Sequence, residues 1–132
     1  MVKVLTLMLF SSAYCSQDAD HMCRIASKAV SKGYKVNIFL YGDGVHAQMA
    51  DQAPRAFFNV GAALDELTSR GVVIKSCQRC SKARGYVDGE YSEEGGTYKS
   101  SKSLESVKIF ALHGLAEMLD EADKVMTFGS AW

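Results

Sequence analysis

The chain has 132 residues, 48% of them hydrophobic, with fifteen basic and fifteen acidic side chains. This length predicts one domain, residues 1–132, able to bury a core without disulfide staples or a structural metal, and the apolar fraction excludes intrinsic disorder. Balanced charge gives no field to attract nucleic acid or an anionic membrane, and no apolar run approaches the roughly 20 residues of a membrane span.

Val4 to Phe10 is apolar apart from Thr6 and follows a lysine, a weak likeness to a secretory leader with Cys15 as a lipoprotein cleavage point. The run is short for a signal core and Tyr14 is a poor cleavage residue, so a buried strand is expected. Near-continuous apolar character over Val2 to Phe10 suits a strand covered on both faces, as in a parallel sheet. Ser11, Ser12 and Ser16 then offer turn and capping hydroxyls. Ala19, Met22, Cys23, Ala26, Ala29 and Val30 follow helical spacing, with Asp18 and Asp20 in the first turn, Lys28 and Lys32 in the last, and Gly33 as the stop.

Val36 to Tyr41 reads as a second buried strand, broken by Gly42-Asp43-Gly44, with an irregular stretch running to Pro54. A helix is expected next, with Phe57, Val60, Gly61, Leu64 and Leu67 on one face and Gly71 as its end. Val72 to Ile74 begins a third strand. Residues 86–102 are polar and show no period. Leu104, Val107, Ala111, Leu115 and Met118 predict a last long helix, and Val125 to Phe128 a closing strand. Alternating strand and helix in a chain this short predicts a three-layer α/β sandwich with a mostly parallel sheet, without repeats or a second domain.

Right-handed crossovers gather the loops at the strands' carboxyl ends on one edge. These loops are Ser11–Ser16, Gly42–Ala53 and Ser76–Tyr86, and any chemistry is expected there. The third is distinctive: between residues 67 and 87 stand five bases (Arg70, Lys75, Arg79, Lys82 and Arg84) and no acid, around Cys77 and Cys80. A thiolate near cations or at a helix amino terminus is favoured over its thiol. Cys77 leaves a strand and enters a helical turn, and its neighbours Ser76, Gln78 and Arg79 are polar, so a reactive cysteine is expected rather than a structural one. Cys77 and Cys80 also form a Cys-x-x-Cys pair, a weak motif shared by redox and zinc sites. The glycine, proline or aromatic neighbours typical of a thioredoxin-like pair are missing close by. Cys23 lies on the apolar stripe of its helix and reads as a core residue. Cys15, in the first loop with Tyr14, is on the same edge as Cys77. The four cysteines in a chain that is not turn-rich read as reduced thiols in a cytoplasm.

In its ordered pieces the sequence resembles the DsrE/DsrF-like proteins, and among them the DsrE and TusD type of sulfur-carrying subunit. The resemblance is carried by Ser12-Ala13-Tyr14 with its following helix and by Ile38-Phe39-Leu40-Tyr41-Gly42-Asp43-Gly44-Val45. It continues with Cys77 eight residues before Gly85, Gly114-Leu115-Ala116-Glu117, and Asp123-Lys124-Val125. It covers essentially the whole chain and implies a flavodoxin- or Rossmann-like architecture of the DsrEFH kind. It also implies that Cys77 carries sulfane sulfur as a persulfide for transfer RNA thiolation or dissimilatory sulfur metabolism, with no cofactor. The implied partners are sulfur donor and acceptor proteins and further subunits, either copies of this chain or DsrF- and DsrH-like chains. Cys80 is additional to the minimal TusD-type site and reads as an accessory or resolving thiol. Arg79, Lys82 and Arg84 are expected to stabilise the thiolate.

Asp43 and His46 follow the second strand and are candidates to line the same site, although Asp43 between two glycines suits a turn and His46 suits a solvated loop. His21 and His113 read as structural. Gly42-x-Gly44 lacks the third glycine and helix start of a nucleotide fingerprint. The acidic cluster Asp88, Glu90, Glu93 and Glu94 with Tyr86, Tyr91 and Tyr98 suggests a cover over the cysteine or a subunit contact, and a merely solvated loop is the alternative. No basic–aromatic alternation supports direct nucleic-acid binding. The competing functions are a non-catalytic assembly or regulatory subunit, a dithiol oxidoreductase and a zinc-binding module.

Overall fold

The computed structural model describes residues 2–130. Alternation sets the first strand: in β1 (Val4–Leu9) Leu5, Leu7 and Leu9 join the main core, while Thr6 faces the other way and its hydroxyl donates to the Met118 carbonyl at 2.9 Å. Helix α1 (Asp18–Ser31) buries the stripe Ala19, Met22, Cys23, Ala26 and Ala29. Strand β2 (Lys35–Leu40) again splits its faces, with Val36, Ile38 and Leu40 in the main core and Phe39 on the opposite side.

Gly42–Gln48 is a 3-10 helix, where an irregular stretch was expected. Its tight turn is anchored by Gly44, whose amide donates to the Tyr41 carbonyl at 2.9 Å, and it buries Val45 and Ala47 in the core. The next helix, α2 (Val60–Ser69), starts later than the apolar spacing suggested. Asn59 caps it by accepting from the Ala62 amide at 2.9 Å. Phe57 therefore lies outside the helix, 71% exposed.

Strand β3 (Val73–Cys77) runs without a loop into α3 (Gln78–Ala83). Two short strands, β4 (Tyr91–Ser92) and β5 (Thr97–Tyr98), form an antiparallel hairpin inside the stretch read as aperiodic. Two-residue strands are too short to show a period, and Gly95 and Gly96 supply the turn.

The expected long helix over residues 104–118 is a strand followed by a shorter helix: β6 (Val107–Phe110) and α4 (His113–Glu121). Val107 and Ile109 are buried while Lys108 and Phe110 are half-buried, a period of two over only four residues. That short signal was masked by the helix-like spacing of Leu104, Val107, Ala111 and Leu115. Strand β7 (Lys124–Phe128) closes the sheet.

The five-stranded sheet has the order β6-β3-β2-β1-β7, and every pairing in it is parallel. The chain steps in one direction from β1 through β2 and β3 to β6, so right-handed crossovers put α1 and α2 on one face. It then jumps back across the sheet to β7, and the same handedness places α4 on the other face. This gives the three-layer α/β arrangement expected from the sequence. The α1/α2 layer covers a large core, while α4 covers a small cluster of Phe39, Cys77 and Met118, flanked by Met8, Tyr41, Cys80 and Leu115. Among the described residues, no helix is long and apolar enough to cross a membrane.

Candidate functional site

Cys77 is at once the last residue of β3 and the residue preceding the first turn of α3, with φ −64° and ψ 124°. It therefore stands at the carboxyl rim of the sheet. Strand alternation sends Ser76 toward the α1/α2 layer and Cys77 toward α4, where it packs with Phe39 and Met118. Cys80 follows by three residues, one helical turn on, so the two side chains meet on one face. Cys80 is half-buried and touches both clusters.

The polar neighbours that suggested a reactive rather than a structural Cys77 do not leave it open to solvent: the residue is 3% exposed. Ser76 points through the sheet, and Gln78 and Arg79 already belong to the turn of α3. Cys80 is the more accessible thiol. Burial pushes its pKa up; the Gly42 amide, donating to Cys80 Sγ at 3.2 Å, pulls it down; and a hydrogen bond to Cys77 together with the Cys77 charge raises it again. Arg84 adds a smaller lowering effect. Gly42 can aim its amide this way because it adopts φ +60°, a left-handed conformation glycine accepts without strain.

The three cations expected to surround Cys77 are dispersed. Arg84 pairs with Asp43, Nη2 to Oδ1 at 2.8 Å and Nε to Oδ1 at 2.9 Å, while its Nη1 donates to the Cys80 carbonyl at 3.1 Å. It thus staples the end of α3 to the 3-10 helix and acts on Cys80. The Lys82 ammonium lies 4.5 Å above the centre of the Tyr98 ring, and Arg79 is exposed. Asp43 lies in the first turn of the 3-10 helix, where a loop turn was expected, and serves as the partner of Arg84.

His46 shares a hydrogen bond of 2.7 Å with the Tyr86 hydroxyl through Nδ1. Tyr86 is buried, which pushes its phenol pKa up despite the opposing charge of Arg84. Tyr14 turns away from the thiols: its hydroxyl donates to Gln52 Oε1 at 2.7 Å and accepts from the Val60 amide at 3.1 Å, at the start of α2. Cys15 is exposed and its Sγ donates to the Ser12 carbonyl at 3.0 Å. The structure thus joins Cys77, Cys80, Gly42, Asp43 and Arg84, and leaves Tyr14 and Cys15 at a separate place on the rim. Cys23 is a core thiol whose pKa is pushed up to about 12 by burial, with Asp20 adding to it. Among the described residues, no three His, Cys, Asp or Glu side chains gather as a metal-binding group.

The hairpin reaches α3 as well. Tyr98 receives Lys82, Tyr91 stacks edge-on against Tyr98 at 5.3 Å, and Tyr91 contacts Phe110 at 5.9 Å between ring centres. Asp88, whose pKa is lowered by hydrogen bonds from the Ser101 hydroxyl and amide, pins the base of this excursion.

Sequence reasoning gave Gln48 and Ser81 no role and counted Ser76 only as a polar neighbour of Cys77, yet all three are buried behind the thiols. The available signal was positional: serines stand directly before Cys77 and directly after Cys80. Gln78 carries another cost. Its Oε1 is buried and finds no hydrogen-bond donor among the described residues. An unmet acceptor costs about 1–3 kcal/mol. Gln78→Met keeps the volume and removes the acceptor, and is expected to raise stability by about 1 kcal/mol in urea unfolding. An unchanged or lower midpoint would show that this oxygen has a partner in solution.

The family model of the DsrE/DsrF-like family matches residues 3–128. An uncharacterized protein of Methanocaldococcus jannaschii is 30% identical over 123 residues, covering 93% of this chain and 97% of its own length. YchN of Escherichia coli K12 is 29% identical over 104 residues, 79% of each chain. The crystal structure of the Escherichia coli YchN protein superposes with a TM-score of 0.78 at 27% identity, covering 97% of this chain and all of that one. A conserved protein of unknown function from Bacteroides thetaiotaomicron shares the fold, with a TM-score of 0.61, 16% identity and 93% coverage of both chains.

Proposed function

Since the chain belongs to the DsrE/DsrF-like family, we propose that it is a sulfur-relay protein carrying sulfane sulfur as a persulfide on Cys77. The observation that carries this reading is the packing of Cys77, at the carboxyl end of β3, beside the half-buried thiol of Cys80, itself faced by the Gly42 amide. The chemistry is exchange between sulfurs. The Cys77 thiolate attacks the terminal sulfur of a donor persulfide; the donor's S–S bond breaks, its thiolate leaves, and Cys77–S–SH forms with no net oxidation. Cys80, the more exposed of the two, is the side from which sulfur enters and leaves. Arg84 offsets negative charge at Cys80, and Arg79 and Lys82 make the surrounding rim attractive to anionic sulfur species.

In this role the chain works with protein donors and acceptors, in the cytoplasm, in an assembly of its own copies or with DsrF- and DsrH-like subunits. The route leads to transfer RNA thiolation or to dissimilatory sulfur metabolism. The test is incubation with a persulfide donor followed by intact-protein mass measurement: wild type gains the mass of sulfur at Cys77. A wild-type chain that gains none is instead a non-catalytic assembly subunit.

Contact between the two thiols favours a second reading, a dithiol–disulfide couple. After loading, Cys80 can attack the Cys77 sulfur, forming the Cys77–Cys80 disulfide and releasing hydrosulfide; two equivalents of an external thiol then restore the dithiol by exchange and leave as their own disulfide. If Cys80 acts this way, Cys80→Ser holds its persulfide several times longer than wild type when the sulfur load is followed over time. Equal lifetimes would remove Cys80 from the release step.

A further inference from the structure

Three polar side chains with no exposure lie directly behind the thiol turn: Gln48, Ser76 and Ser81. Buried amides and hydroxyls persist only when their hydrogen bonds are met, and these are. Ser76 Oγ donates to Gln48 Oε1 at 2.8 Å, Gln48 Nε2 donates to Ser81 Oγ at 3.0 Å, and the two serine hydroxyls stand 3.3 Å apart. Ser103 Oγ also donates to Gln48 Oε1, at 3.2 Å. Gln48 ends the 3-10 helix, Ser76 belongs to β3 and Ser81 to α3. Ser76 immediately precedes Cys77 and Ser81 immediately follows Cys80. One carboxamide therefore grips both ends of the Cys-x-x-Cys turn from the face opposite Phe39 and Met118.

We propose that Gln48 is a positioning residue that, through Ser76 and Ser81, holds Cys77 and Cys80 in contact and thereby sets their reactivity. The inference rests on the reading of these two cysteines as the working thiols. An apolar side chain of equal size would fill the same space, but it would leave β3, α3 and the 3-10 helix free to shift against one another. The polar clamp gives each hydroxyl one direction to point. The same 3-10 helix begins with the Gly42 amide that faces Cys80, so the clamp also fixes the distance between that donor and its sulfur.

The experiment is site-resolved alkylation of the full chain with iodoacetamide across pH, read by peptide mass spectrometry, beside urea unfolding of each variant. Gln48→Met and Ser81→Ala are expected to loosen the turn and let water reach the half-buried Cys80; because burial is the largest cause of its raised pKa, this outweighs the loss of the Gly42 amide and moves the Cys80 alkylation midpoint down toward the ordinary thiol range. Each unit of that movement is about a tenfold gain in Cys80 alkylation at a fixed lower pH. Ser103→Ala removes only the arm that does not touch the thiol turn and keeps the wild-type profile. Should Gln48→Met not fold, Ser81→Ala decides the question. Variants that unfold more easily yet keep the wild-type alkylation profile would reduce Gln48 to a packing residue and overturn the proposal. Alkylation needs no sulfur donor, so the two ideas fail separately: a chain that never loads sulfur but shows the moved profile loses the relay and keeps the clamp, while a chain that loads sulfur with an unmoved profile does the reverse.

Discussion

Cys77→Ser protein incubated with a persulfide donor is expected to gain no sulfur mass at the thiol turn, while wild type under the same conditions does. The loss is complete rather than partial, because a serine hydroxyl is almost wholly protonated near neutral pH and forms no persulfide. A second change accompanies it. The pKa of Cys80 is held up by burial first, and then by its hydrogen bond to Cys77 and the charge Cys77 carries. Replacing Cys77 removes the neighbouring sulfur that helps hold the Cys80 pKa up, so Cys80 ionises at lower pH and alkylates faster at a given pH below its midpoint. Retained loading in Cys77→Ser would pass the carrier role to Cys80, whose sulfur already has the Gly42 amide directed at it. Unchanged Cys80 alkylation would show that the thiols do not influence each other in solution.

Gly44→Ala is expected to be the most damaging single-methyl change near the site. A Cβ built on Gly44 falls on the carbonyl group of Leu9, with the Phe10 amide nitrogen only 3.3 Å away. These atoms are backbone at the end of β1, a central strand, and cannot swing aside as the tip of a flexible side chain would. The 3-10 helix must lift off the sheet, taking the Gly42 amide from Cys80 and Gln48 from its serines. Overpacking of this kind costs about 3 kcal/mol or more, measured as a lower urea midpoint, with altered thiol alkylation as the local sign. A Gly44→Ala chain with wild-type stability would mean that the 3-10 helix stands farther from β1 than described.

Periodicity in the sequence was enough to place β1, α1, β2 and β7, since each carries an apolar run or stripe long enough to have a recognisable period. The βαβ alternation then implied the parallel sheet and, through crossover handedness, the edge on which the cysteine turn had to lie. Where the signal fell to two or four residues it failed. The hairpin of Tyr91–Ser92 with Thr97–Tyr98 and the edge strand Val107–Phe110 were invisible, because a period cannot be read from so few positions and the spacing of Leu104 to Leu115 mimics a helix. The identity of the thiol turn was also legible, from Cys77 and Cys80 in a basic stretch with matching flanks.

Local sequence determined which residues stand at the turn; tertiary structure decided which way they face and what they meet. The direction of Cys77, toward Phe39 and Met118, follows from the pleat of β3 and from which face α4 covers, neither of which is a property of the residues beside it. Charges close in sequence to a thiol are not thereby close in space: Lys82 went to Tyr98 and Arg84 to Asp43, partners 16 and 41 residues away. The contacts that hold the turn come from Gly42 and Gln48, on another strand's loop. A one-dimensional pattern records burial and period along a single element, whereas hydrogen bonds between neighbouring elements exist only after the sheet has set their order and register.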